Sequence, residues 1–194
     1  MERLVETQQN RKLETIVLGG GCFWCTEAIF GRVRGVADVQ SGYANGHVPH
    51  PSYEQVCTGS TGHAEVVRLR FDPGQIGLRA ILEIFLATHD PTSLNRQGND
   101  VGTQYRSGIY YSDPAHKAVA RAVLRELAES GALGAPIVTE VAPLAAYWPA
   151  EDYHQDYFLK HPHQGYCAFV VGPKVEHFQA AFARYCHETG ADRR

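Results

Sequence analysis

The chain has 194 residues, of which 44% are hydrophobic and 20% are charged. These values are ordinary for a soluble globular protein, and the length suits one sizeable core better than two. A formal net charge of −3 at pH 7 gives no electrostatic argument for binding nucleic acid or a membrane surface. No apolar run approaches the roughly 20 residues that span a bilayer, and the polar N-terminus lacks the apolar core of a secretory signal. We therefore expect a cytoplasmic protein, monomeric by default, with a loose arm over residues 1–12 and one domain over residues 13–194.

The first half of the chain alternates apolar segments with polar or glycine-rich breaks. The segment His63–Phe71 is typical of a half-buried strand, because Val67, Leu69 and Phe71 share one face. The predicted elements of this half are strands at 14–18, 36–43 and 63–71 and helices at 23–30 and 78–88, with a loop at 44–51.

The second half opens with a polar loop at 89–105, and a loop of this length inside a domain is usually functional. Asp113 and Pro114 then mark a helix start, with Asp as the N-cap and Pro in the first turn. The predicted elements are strands at 107–111 and 136–141 and helices at 114–130, 150–160 and 174–187. Strands and helices intermixed along one chain predict an α/β fold with helices packed on a sheet.

Cys22 follows a strand and three glycines and begins a predicted helix. Glycines allow a sharp turn, and the free N–H groups and positive dipole end of a helix N-terminus favour a thiolate. A Cys at such a position is typically more acidic than the usual thiol, and the thiolate is the reactive form. The sequence therefore predicts that Cys22 is a nucleophile.

Cys25 lies three residues later, on the same helical face, so the two sulfurs can form a disulfide. An odd count of five cysteines in a chain without a secretory signal argues against a structural disulfide framework. A zinc site would need two further ligands, and the other cysteines stand alone in the sequence. The other alternative is that both cysteines are buried structural residues. Phe23 and Trp24, which lie between the two cysteines in the sequence, disfavour this alternative.

Glu65 shares its predicted strand face with the apolar residues that follow it. A carboxyl at the end of an apolar stripe is desolvated, which raises its pKa and suits it to donate a proton near neutral pH. The strand pattern alone equally allows Glu65 to reach solvent at the strand end.

Four blocks of sequence occur in the order found in one known enzyme family, and together they span residues 19–167. They are Gly21-Cys22-Phe23-Trp24; Tyr53 to Cys57 with Thr61-Gly62-His63-Ala64-Glu65; Asp90-Pro91-Thr92 with Arg96 to Asp100 and Gly102 to Ser107; and Asp152-Tyr153-His154-Gln155 with Gly165-Tyr166-Cys167. On these blocks the chain resembles the A-type peptide methionine sulfoxide reductases.

The resemblance implies a fold and a set of roles. The fold is a two-layer α/β (α+β) sandwich with a mixed sheet, a ferredoxin-like core and an extended C-terminal segment. Cys22 corresponds to the catalytic cysteine and Glu65 to the acid. Phe23 and Trp24 correspond to the aromatic pair that holds the substrate's methyl group. Tyr53 and Tyr105 correspond to the tyrosines whose hydroxyls face the sulfoxide oxygen. Asp100 corresponds to a substrate-positioning carboxylate.

The resemblance also implies the chemistry. The Cys22 sulfur takes the oxygen of a methionine S-sulfoxide as a sulfenic acid, a second thiol condenses with it to a disulfide, and thioredoxin restores the thiols. Oxidised proteins, peptides and free methionine sulfoxide are the expected substrates. No metal or bound organic cofactor is implied.

Many members of this family have glycine where this chain has Cys25, and they recycle through cysteines near the C-terminus. Cys25 and Cys167 are therefore both candidates to resolve the oxidised Cys22, and closeness in sequence favours Cys25. We interpret Cys57 and Cys186 as structural, with Cys186 packed in the terminal helix.

Three other functions compete with this hypothesis. A thioredoxin-type oxidoreductase would use Cys22 and Cys25 alone, which leaves Glu65 and the loop at 95–106 without a role. A binding module with a structural zinc would bind metal and turn nothing over. A cysteine hydrolase would need a base such as His63 or His154, and nothing in the sequence pairs either one with Cys22.

Overall fold

A computed structural model of the chain describes residues 12–187. The loose arm expected at 1–12 therefore lies, apart from Lys12, outside the described residues. Among residues 12–187, no helix is long and apolar enough to span a membrane.

The described part of the chain contains a central mixed sheet. Its strands and those of a separate ribbon are β1 (Glu14–Gly20), β2 (Val36–Ala44), β3 (Ala64–Phe71), β4 (Arg96–Gln97), β5 (Asp100–Val101), β6 (Ser107–Tyr111), β7 (Glu140–Pro143) and β8 (Tyr147–Pro149). Six strands form the sheet in the order β7-β6-β1-β3-β2-β8, and β4 pairs with β5 alone. Neighbours in the sheet are antiparallel except β6 and β7, which run parallel, so the sheet is mixed as predicted.

Helices cover one face of this sheet and form the second layer. They are α1 (Phe23–Phe30), α2 (Tyr53–Cys57), α3 (Leu78–Thr88), α4 (Pro114–Glu129), α5 (Tyr157–Lys160) and α6 (Gly172–Ala181). Helix α1 packs on β2 and β3, α4 packs on β6 and β7, and α6 contacts both α1 and α3. The predicted two-layer α/β arrangement is confirmed.

Strand alternation explains the two sides of the sheet. In β1, Ile16 and Leu18 face the helices and join the main core, whereas Val17 faces the opposite side. On that opposite side the segment around β7 and β8 packs Leu144 and Tyr147 against a smaller apolar cluster. The main core therefore lies between the sheet and the helices. A residue at the end of a strand on the helix-facing side of the sheet can point toward α1.

Three predicted elements are wrong in extent. The predicted strand at 136–141 pairs with β6 only from Glu140 onward, so β7 is displaced toward the C-terminus. The predicted helix at 150–160 is broken, because Asp156 adopts a left-handed conformation with φ of 55° and only the last four residues are α-helical. The predicted terminal helix at 174–187 begins earlier, at Gly172, after a π-helical turn at 167–171, and it ends at Ala181.

Several short elements were not predicted. Helix α2 begins after Ser52, whose hydroxyl accepts from the Gln55 N–H while the Gln55 side chain accepts from the Ser52 N–H. This capping box is a sequence signature, Ser-x-x-Gln, that could have revealed the helix. Strand β8 has only three residues and pairs with the end of β2. The predicted loop at 89–105 holds β4, β5 and a 3₁₀ turn at Thr103–Tyr105.

Candidate active site

Cys22 is the N-cap of α1, directly after β1 leaves the sheet. The turn depends on Gly21, which has φ of +90°, and a Cβ there would lie 2.6 Å from Gln97 Cβ. Gln97 is buried. Its side-chain oxygen accepts from the Asp90 N–H at 2.9 Å, and its side-chain nitrogen donates to the Asp90 carbonyl oxygen at 3.1 Å. The glycine therefore lets the loop that carries β4 and β5 pack directly against the nucleophile turn.

Cys22 and Cys25 lie together on the first turn of α1. The Cys25 N–H donates to the Cys22 carbonyl oxygen at 3.1 Å, which fixes the turn, and the two thiols interact with each other. Cys22 is half-buried and Cys25 is 3% exposed. Neither is in a disulfide, so this is the reduced state of the pair. The structure thus brings together the two cysteines for which the spacing predicted an attacking and a resolving role.

The prediction of a more acidic Cys22 is wrong for this reduced state. Hydrogen bonding to Cys25, burial and the nearby Glu65 carboxyl raise the Cys22 pKa, and they outweigh the Trp24 backbone N–H that lowers it. The Cys25 pKa is lowered, chiefly by the hydrogen bond with Cys22 and also by Lys174 and Tyr166. Of the two thiols, Cys25 is therefore the more acidic.

Glu65 is 1% exposed and lies on the helix-facing side of β3, so of the two alternatives that the strand pattern left open the buried one is found. Its Oε2 accepts from the Phe23 N–H at 3.2 Å, and its Oε1 has no hydrogen-bond partner among residues 12–187. Burial raises the Glu65 pKa from 4.5 to about 8, despite the lowering effect of the Phe23 N–H. A buried carboxyl without a cation beside it is neutral at pH 7 and can donate the proton on its free oxygen.

Two tyrosines approach Glu65 from different elements. Tyr53 begins α2, and Tyr105 ends the 3₁₀ turn before β6. Burial raises the pKa of both phenols, and Glu65 is a further electrostatic cause in each case. Tyr105 also interacts with Cys22. Both hydroxyls therefore keep their protons at neutral pH, and both interact with the acid of the site.

Glu151 fixes the start of α2 although it is distant in sequence. Its Oε1 accepts from the Tyr53 N–H at 2.8 Å, and its Oε2 accepts from the Tyr43 hydroxyl at 2.7 Å. Burial acts to raise the Glu151 pKa, but these hydrogen bonds prevail and lower it, so the carboxylate is ionised at neutral pH. This carboxylate anchors the backbone that carries the Tyr53 ring.

Asp100 reaches the site from β5. Its Oδ2 accepts from the Tyr166 hydroxyl at 2.6 Å. Asp100 interacts electrostatically with Glu65 and Cys25, which places its carboxylate on the nucleophile's side of the loop. The polar groups predicted for the site are thus brought together from β3, α2, β5 and the 3₁₀ turn.

An aromatic wall stands beside these groups. The indole of Trp24 stacks on Tyr157 with centroids 3.8 Å apart and meets the Tyr166 ring edge-on at 5.9 Å. Its Nε1–H donates to His154 Nδ1 at 3.2 Å, so Tyr157, Tyr166 and His154 together fix the position of the indole. Phe23 is 1% exposed and packs behind it, with its ring 5.0 Å from the His154 ring. Trp24 is therefore the accessible member of the predicted aromatic pair, and Phe23 supports it.

The remaining cysteines occupy different surroundings. Cys167 is fully buried on the π-helical turn and interacts with Cys25. Cys57 is exposed at the end of α2 and interacts with Tyr53. Cys186 does not lie in a helix as predicted. It follows a 3₁₀ turn, pairs with Val33 in an isolated bridge and donates its thiol to the Phe182 carbonyl oxygen at 3.6 Å.

The described residues offer little to the competing functions. His63 is held by Gly46 and Val48, and His154 accepts from Trp24, so neither imidazole is hydrogen bonded to Cys22. No group of three or more His, Cys, Asp or Glu side chains in residues 12–187 is arranged to hold a metal ion. What the site does combine is a neutral acid, phenol donors, a thiol pair and an aromatic wall, which suits attack on a sulfur whose oxygen must be protonated.

A sequence model of the family described as peptide methionine sulfoxide reductase matches residues 14–185. This chain belongs to the peptide methionine sulfoxide reductase family. The enzyme MsrA of Ralstonia nicotianae is 56% identical over 179 residues, which cover 90% of this chain and 94% of the relative. MsrA of Polynucleobacter asymbioticus is 54% identical over 170 residues, covering 88% and 90% of the two chains.

Solved structures agree with this assignment. Mxr1 from Saccharomyces cerevisiae in reduced form matches with a TM-score of 0.74 at 36% identity, covering 82% of this chain and 91% of that chain. Mxr1 in complex with Trx2 matches in fold with a TM-score of 0.52 at 24% identity, covering 79% and 91%. The chain is an MsrA-type enzyme, and its fold is that of methionine sulfoxide reductases.

Several side chains of this MsrA-type site were not assigned roles from the sequence. His154 and Tyr166 lie within matched blocks, and Tyr157 and Glu151 flank one of them. They contact Trp24, Asp100 and Tyr53, and the two residues of each contact are more than 60 positions apart in the sequence. The density of aromatic and acidic residues at 151–157 is the one sequence signal that could have drawn attention to this segment.

Proposed function

We propose that this enzyme reduces the S epimer of methionine sulfoxide by transferring the oxygen to Cys22, with Glu65 as the proton donor. The observation that carries the proposal is the neutral, buried Glu65 carboxyl, whose Oε1 has no partner among the described residues and lies beside the nucleophile turn. A sulfoxide sulfur becomes a good electrophile only when its oxygen is protonated or hydrogen bonded. Glu65 supplies the proton, and the hydroxyls of Tyr53 and Tyr105 supply hydrogen bonds to the oxygen.

The first step conserves atoms and electrons. The Cys22 sulfur attacks the sulfoxide sulfur, Glu65 gives its proton to the oxygen, and Cys25 accepts the proton of the Cys22 thiol. The sulfoxide S–O bond breaks and an S–O bond forms on Cys22, which is oxidised to a sulfenic acid as methionine is released. Trp24 lies against the substrate's methyl group, and Asp100 positions its backbone.

In the second step, the Cys25 thiol displaces the hydroxyl of the Cys22 sulfenic acid. A disulfide forms between them and water leaves, with no further reactant needed. The contact between the two thiols in the reduced state supports Cys25 over Cys167 as the resolving cysteine. Cys167 adjoins Cys25 and can receive the disulfide from it in a later exchange.

Two electrons from an external dithiol then restore the pair. Mxr1, a structural relative of this chain, forms a complex with Trx2, and we propose thioredoxin as the reductant here. Oxidised proteins and peptides, together with free methionine sulfoxide, are the proposed substrates of a single catalytic domain.

Turnover of the separated sulfoxide epimers tests this function. Wild type with thioredoxin is expected to reduce the S epimer only, in a blocked dipeptide and as the free amino acid. Cys22→Ser should abolish turnover, and Glu65→Gln should reduce it by about 10²–10⁴-fold, the range for loss of a general acid. Cys186→Ser is the matched control, since that thiol lies away from the site, and should retain wild-type turnover. Reduction of the R epimer alone, or full activity of Cys22→Ser, would contradict the proposal.

A further inference from the structure

Tyr153 presents a large aromatic ring at the surface, next to a residue of the site. It lies in a 3₁₀ turn, Asp152–His154, that follows β8, and its side chain is 58% exposed. The next residue, His154, is 1% exposed. The turn therefore joins a buried imidazole directly to a phenol ring that solvent can reach.

His154 connects the Tyr153 ring to the candidate active site. The centroids of the Tyr153 and His154 rings are 4.2 Å apart, and the His154 ring is 4.5 Å from the ring of Tyr53. His154 Nδ1 also accepts from the Trp24 indole N–H at 3.2 Å. A single ring thus lies between Tyr153 and the two side chains to which we assign the substrate's sulfoxide oxygen and methyl group.

A partly exposed carboxylate lies against the same imidazole. Glu151 Oε2 is 4.0 Å from His154 Nε2, and the Glu151 side chain is 32% exposed. Each Glu151 carboxylate oxygen accepts one hydrogen bond and keeps a further lone pair. Asp152, directly before Tyr153, is exposed. From residue 12 to residue 187, neither of these carboxylates forms an ion pair with a lysine or an arginine. The rim beside the Tyr153 ring therefore carries negative charge.

A peptide substrate must place further residues beside the oxidised methionine. Consecutive Cα atoms are about 3.8 Å apart, and residues two positions apart share one face of an extended chain. Side chains within two positions of the sulfoxide can therefore lie against the rim of the site. Free methionine sulfoxide has no such side chains, so a contact at the rim distinguishes one peptide from another.

We propose that Tyr153 and the carboxylates beside it form a subsite for a basic residue that lies within two positions of the oxidised methionine. The inference rests on the proposed function and extends it to the residues that flank the reacting one. The face of a phenol ring attracts an ammonium or guanidinium group, and the carboxylates add to this attraction. An acidic residue at the same position meets like charge. Because the flanking cation does not touch the reacting atoms, the subsite acts on KM rather than on kcat.

Pentapeptides with methionine S-sulfoxide at the centre, blocked at both ends, test this subsite. One of the four other positions in turn carries Lys, Gln, Glu or Phe, and the rest are glycine. Full-length wild type is compared with Tyr153→Leu, which removes the ring, and with Tyr153→Phe, which keeps it. Phe169→Leu is the matched control, because it removes another exposed ring, on the π-helical turn. The measured quantity is the ratio of kcat/KM for the Lys peptide to that for the Gln peptide of the same position, with dithiothreitol as the reductant.

We expect this ratio to be about five in wild type at one or more positions, through a lower KM, and the Glu peptide there to be poorer than the Gln peptide. Tyr153→Phe and Phe169→Leu should keep the ratio, whereas Tyr153→Leu should lower it to about two or less. Equal ratios in Tyr153→Leu and wild type, no preference for Lys in wild type, or a Phe peptide better than the Lys peptide would overturn the inference. Failure of the proposed function would look different, because wild type would then reduce none of the peptides.

Discussion

The chemistry of this enzyme depends on one buried carboxyl. Glu65 accepts a single backbone N–H, and it lies in the main core layer without a neighbouring cation among its electrostatic partners. Asp100 and Cys25 add negative charge near it, which strengthens the effect of burial. A proton is therefore retained at neutral pH on the group that must give one to the sulfoxide oxygen.

The pH dependence of the first step follows from the sign of this shift. The acid is competent while protonated, so its contribution is complete well below pH 8 and is lost as pH rises through the Glu65 pKa of about 8. We expect the single-turnover rate of methionine release to fall above pH 8 in wild type. Glu65→Gln, which has no proton to lose there, should be slower and lack this fall. A wild-type rate that is undiminished at pH 10, measured by rapid quench, would contradict the assignment.

At the scale of elements, the site depends on short segments attached to a regular scaffold. β1, β3 and α1 hold the nucleophile and the acid, whereas α2 has only five residues and is too short to be stable alone. Its first turn is fixed by the capping box at Ser52 and by the carboxylate of Glu151. Glu151 thus connects the segment after β8 to the helix that carries Tyr53.

Loss of this connection should impair catalysis more than folding. In Glu151→Ala, the Tyr53 N–H and the Tyr43 hydroxyl lose their acceptor, so the Tyr53 ring is no longer fixed at the site. We expect kcat/KM for the S-sulfoxide dipeptide to fall about tenfold, an effect of about 1.4 kcal/mol on the transition state. Glu54→Ala is the matched control, because Glu54 is exposed on the same turn of α2. Equal losses in both variants would show that the Glu151 contacts are not responsible.

At the scale of the whole molecule, the sequence predicted the central strands and the main helices well. β3 and α3 have apolar periodicity, whereas β1 and α1 are short apolar segments bounded by glycines. Each of these four elements is found within two residues of its predicted bounds. The edge elements were harder, because β7 and β8 owe their pairing to distant strands rather than to their own pattern. The break at Asp156 likewise has a tertiary cause, since buried Glu27 accepts from the Tyr157 N–H at 3.3 Å.

The site was predictable in composition but not in electrostatics. Family motifs named Cys22, Glu65 and Asp100, and strand alternation gave the correct face for Glu65. The helix N-terminus alone predicted an acidic Cys22, whereas burial, Cys25 and Glu65 together reverse that effect. The contribution of Glu65 comes from β3, a different element from the helix that Cys22 begins, and no local pattern could reveal it.

The central claim is that the oxygen of the sulfoxide is transferred to Cys22. The direct test is a single turnover of the S-sulfoxide dipeptide by an enzyme that lacks both candidate resolving thiols, Cys25→Ser with Cys167→Ser, in the presence of dimedone. We predict methionine release, slower than in wild type because Cys25 no longer accepts the Cys22 proton, with an equal amount of dimedone adduct on Cys22, located by peptide mass spectrometry. Methionine release with the adduct on Cys57 or Cys186, or with Cys22 left as a free thiol, would contradict the account.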